Sequence, residues 1–219
     1  MPRIERTVIG IFGYTNAGKS TCMNLLTQQE TSLVDPQPGT TADIKKAVME
    51  IHAIGPAEIL DTAGLDEDSS LGAQKRRKTL AALEEVDLAV LVIDPVQALL
   101  SGQVRVEDVV VALVRQRGRR LCIVLNRHAD AAARLAGSGA GCEQARRFAL
   151  SALPDQAEAP VLDLDLSDRA RAVELATFLA RAAGRTPDQA PLLPMVHRHE
   201  AVVLHIPMDE ETPSGRLLR

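Results

Sequence analysis

Eight consecutive residues near the N-terminus, Gly13-Tyr14-Thr15-Asn16-Ala17-Gly18-Lys19-Ser20, restrict this chain more than any other stretch. They spell G-x-x-x-x-G-K-S, the phosphate-binding loop of nucleoside triphosphatases. The apolar run Val8 to Phe12 reads as a buried strand leading in, and Ser20 to Leu26 as a helix leading out. That order gathers backbone N–H groups and the positive end of a helix dipole around a triphosphate. Gly13 and Gly18 open torsions closed to other residues. Lys19 then reaches the β- and γ-phosphates and the Ser20 hydroxyl ligates Mg²⁺, with Ala17, Gly18 and Thr21 completing the cradle.

Beyond the loop, short β-rich runs alternate with longer helical ones, which predicts an α/β domain with a largely parallel sheet. Strands are expected at Thr7 to Phe12, Ile44 to Ala53, Ala57 to Leu60, Asp87 to Asp94, Leu121 to Asn126 and Pro160 to Leu166. Gly55 and Pro56 are read as the turn between the second and third, and Pro95 as the stop after the fourth. Helices are expected up to about Gln29, over Gln74 to Glu85, Val104 to Arg117 and Asp168 to Ala183, and over Ala129 to Leu153 with a break near its glycines. Residues 1–184 thus make one domain. Pro187, Pro191 and Pro194 signal a linker, and residues 185–219, with one strand-like run from Ala201 to Met208, read as the start of a second domain cut short.

Twenty-five basic against twenty-nine acidic residues give a formal charge of −4, unlike the basic footprint of a nucleic-acid binder. Cys22, Cys122 and Cys142 are odd in number and lack metal-ligand spacing, so neither a disulfide framework nor a metal cluster is expected. With aromatics at 2%, the core must be aliphatic. No run reaches the length of a membrane span, and the charged Met1 to Thr7 does not resemble a signal peptide, so we expect a soluble cytoplasmic protein, with neither nucleic acid nor membrane as partner.

Asp61-Thr62-Ala63-Gly64, a D-x-x-G at a strand end, supplies the second phosphate-end element. Asp61 would hold Mg²⁺ through a water, and the unobstructed Gly64 N–H would sense the γ-phosphate. Gly39-Thr40-Thr41 lies in the loop where GTPases place a Mg²⁺-ligating threonine; Thr41 is the first choice and Thr40 the second. Asn16 has two readings, as a ligand of a monovalent cation beside the phosphates or as a residue bonded within its own loop.

Taken together, G-x-x-N-A-G-K-S, Pro38-Gly39-Thr40-Thr41 and Asp61-Thr62-Ala63-Gly64-Leu65 resemble the tRNA-modification (TrmE-like) class of GTPases within the Ras-like P-loop fold. The wording around the motifs is closer to the GTPase of iron-iron hydrogenase maturation (HydF type): Ala42-Asp43, Ile54-Gly55-Pro56, Asp66, Leu71-Gly72, Lys78-Thr79. After the linker, Val202-Val203-Leu204, Ile206-Pro207-Met208-Asp209 and Pro213-Ser214-Gly215-Arg216-Leu217 resemble that family's second domain. The resemblance implies a GTP/GDP switch domain with a mostly parallel six-stranded sheet flanked by helices. It implies Mg²⁺ and K⁺ as cofactors, a dimerisation domain that would make a homodimer, and other maturation proteins or the hydrogenase as partners. The iron–sulfur ligands of that family would lie past Arg219, so no cluster is expected in this chain.

Three departures limit the reading. The guanine-reading N-K-x-D becomes Asn126-Arg127-His128-Ala129 with Asp130 one residue late, so either the loop shifts to present Asp130 or guanine selectivity weakens. The contact after the sixth strand is reduced to Leu166-Ser167-Asp168. Leu65 stands where Ras-like enzymes carry a water-orienting glutamine, which predicts slow intrinsic turnover. Asp66, Glu67 and Asp68 are the available acids, none singled out by spacing. A tRNA-modification enzyme and a nucleotide sensor with little catalysis remain the alternatives.

Overall fold

Runs such as Leu88–Ile93 are apolar throughout, which suits strands covered on both faces by helices. In the computed structural model, which describes residues 6–27, 44–51, 54–62, 81–102, 105–151, 153 and 159–184, such runs form one six-stranded sheet. Its strands are β1 (Thr7–Phe12), β2 (Ile44–Ile51), β3 (Gly55–Thr62), β4 (Leu88–Ile93), β5 (Arg120–Asn126) and β6 (Val161–Leu164), in the spatial order β2-β3-β1-β4-β5-β6. All neighbours pair in parallel except the edge strand β2, which runs antiparallel to β3. The helices are α1 (Lys19–Thr27), α2 (Pro95–Ser101), α3 (Arg105–Gln116), α4 (Ala131–Arg134), α5 (Cys142–Ser151) and α6 (Ala172–Ala182).

Because side chains alternate along each strand, the sheet carries two cores. Ile9, Ile11, Val90, Val92 and Val124 face Cys22, Leu25 and Leu26 of α1 and Leu175 and Leu179 of α6. Phe12, Leu60, Leu91, Ile93 and Leu125 face Val110, Val111 and Val114 of α3, Ala149 of α5 and the helical residues 81–85. The cores are aliphatic, as the composition requires. Among the described residues no helix is long and apolar enough to cross a membrane.

The sequence reading meets three corrections. Gly55-Pro56 is not the turn: β3 begins there and runs on through Asp61 to Thr62, while Ile54 N–H closes the reversal on Ile51 O at 2.7 Å. Pro can start this strand because Pro56 faces only β2, and pairing with β1 begins at Ala57. Pro95 ends β4 but also opens α2, since the Asp94 side chain accepts from Val96 N–H and Gln97 N–H and proline fits the first helical turn. The sixth strand stops at Leu164 rather than Leu166, because Asp165 Oδ1 turns the chain by accepting from the Ser167 N–H and hydroxyl. The alanine-rich segment divides into α4 and α5, with Gly137 and Gly139 at positive φ between them. Thr40, Thr41, Gly64, the loops 35–43 and 65–73 with Asp66, Glu67 and Asp68, and the whole of 185–219 lie outside the described residues.

Candidate functional site

Parallel pairing brings the carboxyl ends of β1, β3, β4, β5 and β6 to one edge of the sheet, and every described chemistry-bearing residue gathers there. The loop from Gly13 to Gly18 leaves β1 and enters α1, as its spacing predicts. Gly13 sits at φ +149°, where a Cβ would lie 2.2 Å from Val92 O of β4. Gly18, at φ +107°, would place one 2.3 Å from Asn126 Nδ2. Both glycines are therefore required by close approach as well as by torsion.

Lys19 is buried and folds back over its own loop, its Nζ donating to Gly13 O (3.1 Å) and Tyr14 O (2.7 Å). The Ser20 hydroxyl donates to Asp61 Oδ2 at 2.8 Å, joining residues 41 positions apart. Thr62 Oγ1 donates to Ile11 O at 2.7 Å and fixes the end of β3 against β1. Asp61 is 6% exposed and its Oδ1 has no hydrogen-bond partner among the described residues. A buried carboxylate oxygen without a donor is costly, and one beside a serine hydroxyl at a phosphate loop suits a hard divalent cation. Ser20 and Asp61 thus fit Mg²⁺, which when bound would neutralise charge on the phosphates. Burial, reinforced by the Asp61 charge, pushes the nearby Cys22 thiol up to about 12. Burial raises the Cys122 thiol as well, and only Cys142 is exposed.

Asn16 adopts φ +63°, the one positive φ among the described non-glycine residues, and its side chain is exposed. Thr21 also faces outward, while Ala17 is buried.

At the other end of the edge, Asn126 is almost wholly buried and spends its carboxamide on the scaffold. Nδ2 donates to Ala17 O (3.0 Å) and lies 3.0 Å from His128 Nε2, while Oδ1 accepts from Leu166 N–H (3.3 Å). One side chain thereby ties the phosphate loop to β5 and to the loop after β6. Arg127 is exposed and pairs with Asp163, Nε to Oδ1 at 3.4 Å. Ala129 and Asp130 are exposed, and Asp130 occupies the N-cap of α4 without accepting a cap bond. Ser167 is turned toward Asp165, and Asp168 caps the following turn through Ala170 N–H. The Ser167 hydroxyl, opposed by partial burial and aided by Ser167 N–H, His128 and Arg127, holds the Asp165 carboxyl below its ordinary range.

Asp94, His128, Gln97 and Arg134 also cluster here, and the sequence reading passed over all of them. Asp94-Pro95 is a legible helix start, but His128 and Arg134 carry no local signal of their placement.

A phosphate loop between β1 and α1, a serine–aspartate pair beside it and an asparagine latch from β5 define a P-loop GTPase domain of α/β fold. The family described as 50S ribosome-binding GTPase matches residues 8–127, and the chain belongs to that family. It is 34% identical over 121 residues to GTPase Der of Rhizobium etli (strain CIAT 652), covering 54% of this chain and 24% of that one. To GTPase Der of Hyphomonas neptunium (strain ATCC 15444) it is 42% identical over 88 residues, 39% of this chain and 17% of that one. The chain thus matches about a quarter or less of the length of these curated relatives. Among solved structures, Aquifex aeolicus Era bound to GDP·AlF₄⁻ superposes with a TM-score of 0.59 at 22% identity, covering 86% of this chain and 60% of that one. Elongation factor SelB of Methanococcus maripaludis with a GTP analogue gives 0.55 at 17%, covering 82% and 34%. At these identities the structural likeness speaks for the fold.

Proposed function

We propose that this chain is the Mg²⁺-dependent, K⁺-stimulated GTP-hydrolysing switch of an iron-iron hydrogenase maturation scaffold. The observation that carries the nucleotide chemistry is the Ser20–Asp61 pair with its partnerless buried oxygen, set beside Lys19 on the phosphate loop. In this reading Lys19 leaves the loop carbonyls to neutralise phosphate charge. Ser20, Asp61 and Thr41 organise Mg²⁺, and Gly64 N–H meets the γ-phosphate. Ala17, Gly18 and Thr21 line the phosphate end; Arg127 and Asp130 serve the base, and Asn126 serves it by latching the base-side loop to Ala17 and Leu166. Asn16 supports the cation half of the proposal, because it stands exposed on the phosphate loop, three residues before Lys19. The pathway rests on the wording of the motifs from Asn16 to Leu65 and of the segment from Val202 to Leu217.

The deciding measurement is GTP turnover by the protein in K⁺ against Na⁺, with and without Mg²⁺. Stimulation by K⁺ is expected, and equal rates in both salts would remove Asn16 from the mechanism. Inactivity in every salt with retained GDP binding would leave a nucleotide sensor. Calorimetry comparing GDP with ADP judges the base, and equal affinities would overturn the guanine assignment. For the pathway, hydrogenase activation should depend on the protein and fail with Lys19→Ala.

A second reading, a ribosome-associated or tRNA-modification GTPase, draws support from the family description and from the Der relatives. The charge balance argues against a nucleic-acid surface on the chain itself. Co-sedimentation with 50S particles in the GTP state would favour this reading over hydrogenase maturation.

A further inference from the structure

The phosphate loop is gripped by its carbonyls. Lys19 takes Gly13 O and Tyr14 O from within the motif, and Asn126 of β5 takes Ala17 O. Thr15 O accepts from Gln97 Nε2 of α2 at 3.3 Å, across 82 positions of sequence. Gln97 arrives there because β1 and β4 are neighbours, with Phe12 level with Leu91, so the loop leaving β1 lies beside the chain leaving β4. That chain turns at once into α2. Asp94 Oδ1 accepts from Val96 N–H (2.9 Å) and from the backbone N–H of Gln97 itself (3.1 Å). The Gln97 side chain therefore springs from backbone already tied to a buried carboxylate.

A peptide unit is planar, and no described peptide bond is cis, so each C=O points opposite to the N–H of the residue after it. Holding Thr15 O toward α2 thus turns the Asn16 N–H away from α2, as holding Ala17 O toward Asn126 turns the Gly18 N–H away from Asn126. Asn16 lies between these two peptides at φ +63°, a left-handed torsion uncommon outside glycine. Successive N–H groups around such a torsion form a concavity that takes up anions. Gln97 fixes the peptide that enters the left-handed residue.

We infer that Gln97 is a positioning residue for nucleotide binding: through Thr15 O it sets the direction of the Asn16 N–H in the phosphate loop. It acts on the carbonyl side of that peptide and supplies no group to the reacting phosphate. A loop ordered in advance strengthens binding of substrate and transition state alike, so the loss of Gln97 should appear in KM rather than in kcat. The inference rests on the nucleotide-binding reading of the loop and not on the hydrogenase pathway.

Gln97→Met tests it, because methionine keeps the length, the neutrality and the helix preference of glutamine and removes the donor. The backbone N–H that Asp94 accepts is kept as well. The expected result is a rise of about three- to tenfold in Kd for GDP and in KM for GTP, with kcat within about twofold. Gln97→Ala, which also lacks the donor, should show the same rise, so either variant that folds decides. The control is Leu100→Gly, at an exposed position of the same helix. It should lower the thermal midpoint yet leave Kd for GDP within about twofold, since it weakens α2 without touching Thr15. A folded Gln97 variant with unchanged Kd and KM would overturn the inference. So would an equal loss of affinity in Leu100→Gly, which would assign the effect to the helix and not to the Gln97 amide. If the unaltered protein binds neither GDP nor GTP, the nucleotide reading falls and the role of Gln97 falls with it.

Discussion

Asp61 shows how a residue proposed to hold Mg²⁺ can weaken the fold that carries it. Its Oδ1 is buried without a donor among the described residues, a cost of roughly 1–3 kcal/mol for such a group. Asp61→Asn removes the uncompensated charge, so the nucleotide-free protein should hold or gain thermal stability, while Mg²⁺-dependent GDP affinity should fall about tenfold or more. Melting curves with and without Mg²⁺ and GDP check both halves, and a loss of stability in the free protein would refute the account. Lys19 is different, since its bonds to Gly13 O and Tyr14 O are ones it can exchange for phosphate oxygens. Lys19→Ala should lower kcat/KM for GTP by about 10²–10³-fold, in line with removal of a charge-stabilising group. Asp165 bears on pH. Its carboxyl is held low chiefly by the Ser167 hydroxyl, so the folded form takes up a proton less readily than the unfolded chain. The stability it contributes is present above the ordinary aspartate range and is lost as pH falls through the depressed value. Ser167→Ala should flatten the acid limb of a stability–pH profile by lowering stability at neutral pH while leaving the most acidic end, below the depressed value, unchanged.

The strand–loop–helix unit of β1, Gly13 to Gly18 and α1 was legible from spacing alone because its parts are contiguous. Its tolerance to change was not, since that depends on neighbours distant in sequence. Gly13→Ala would drive a Cβ into the Val92 carbonyl of β4, a backbone atom that cannot swing aside. We expect a loss of about 3 kcal/mol or more with nucleotide binding abolished, measurable by denaturant unfolding and calorimetry. The helix α2 illustrates a readable signal passed over: an aspartate before a proline starts a helix as readily as a proline ends a strand. β3 and β6 were misjudged at their ends for a related reason. Pairing with β2 draws Gly55 and Pro56 into β3, and the Asp165–Ser167 turn shortens β6.

The two cores make the assembled domain chemically quiet in its interior. Cys22 and Cys122 are buried on the face covered by α1 and α6, with thiols raised by that burial, whereas Cys142 is exposed at the start of α5. A thiol-reactive reagent at pH 8 should therefore label one cysteine of three quickly and the other two only on unfolding. Rapid labelling of all three would contradict this packing. The same architecture turns separate loops into one site. Because five strands run parallel, their ends present Asp61, the phosphate loop, Asp94, Asn126 and Leu166 along a single edge.

The fold of the phosphate loop could be written from the chain alone, because G-x-x-x-x-G-K-S carries its torsions in one short contiguous run between β1 and α1. The base end could not. Asn126 reads in sequence as a base contact, yet folding spends its amide on Ala17, His128 and Leu166, the first 109 and the last 40 residues away. Asp94 reads as nothing more than the end of a strand, and becomes the buried carboxylate that starts α2 and pairs with Arg134 of α4. Such bonds are chosen by which strand ends become neighbours, and strand order is a property of the packed sheet rather than of any window of residues.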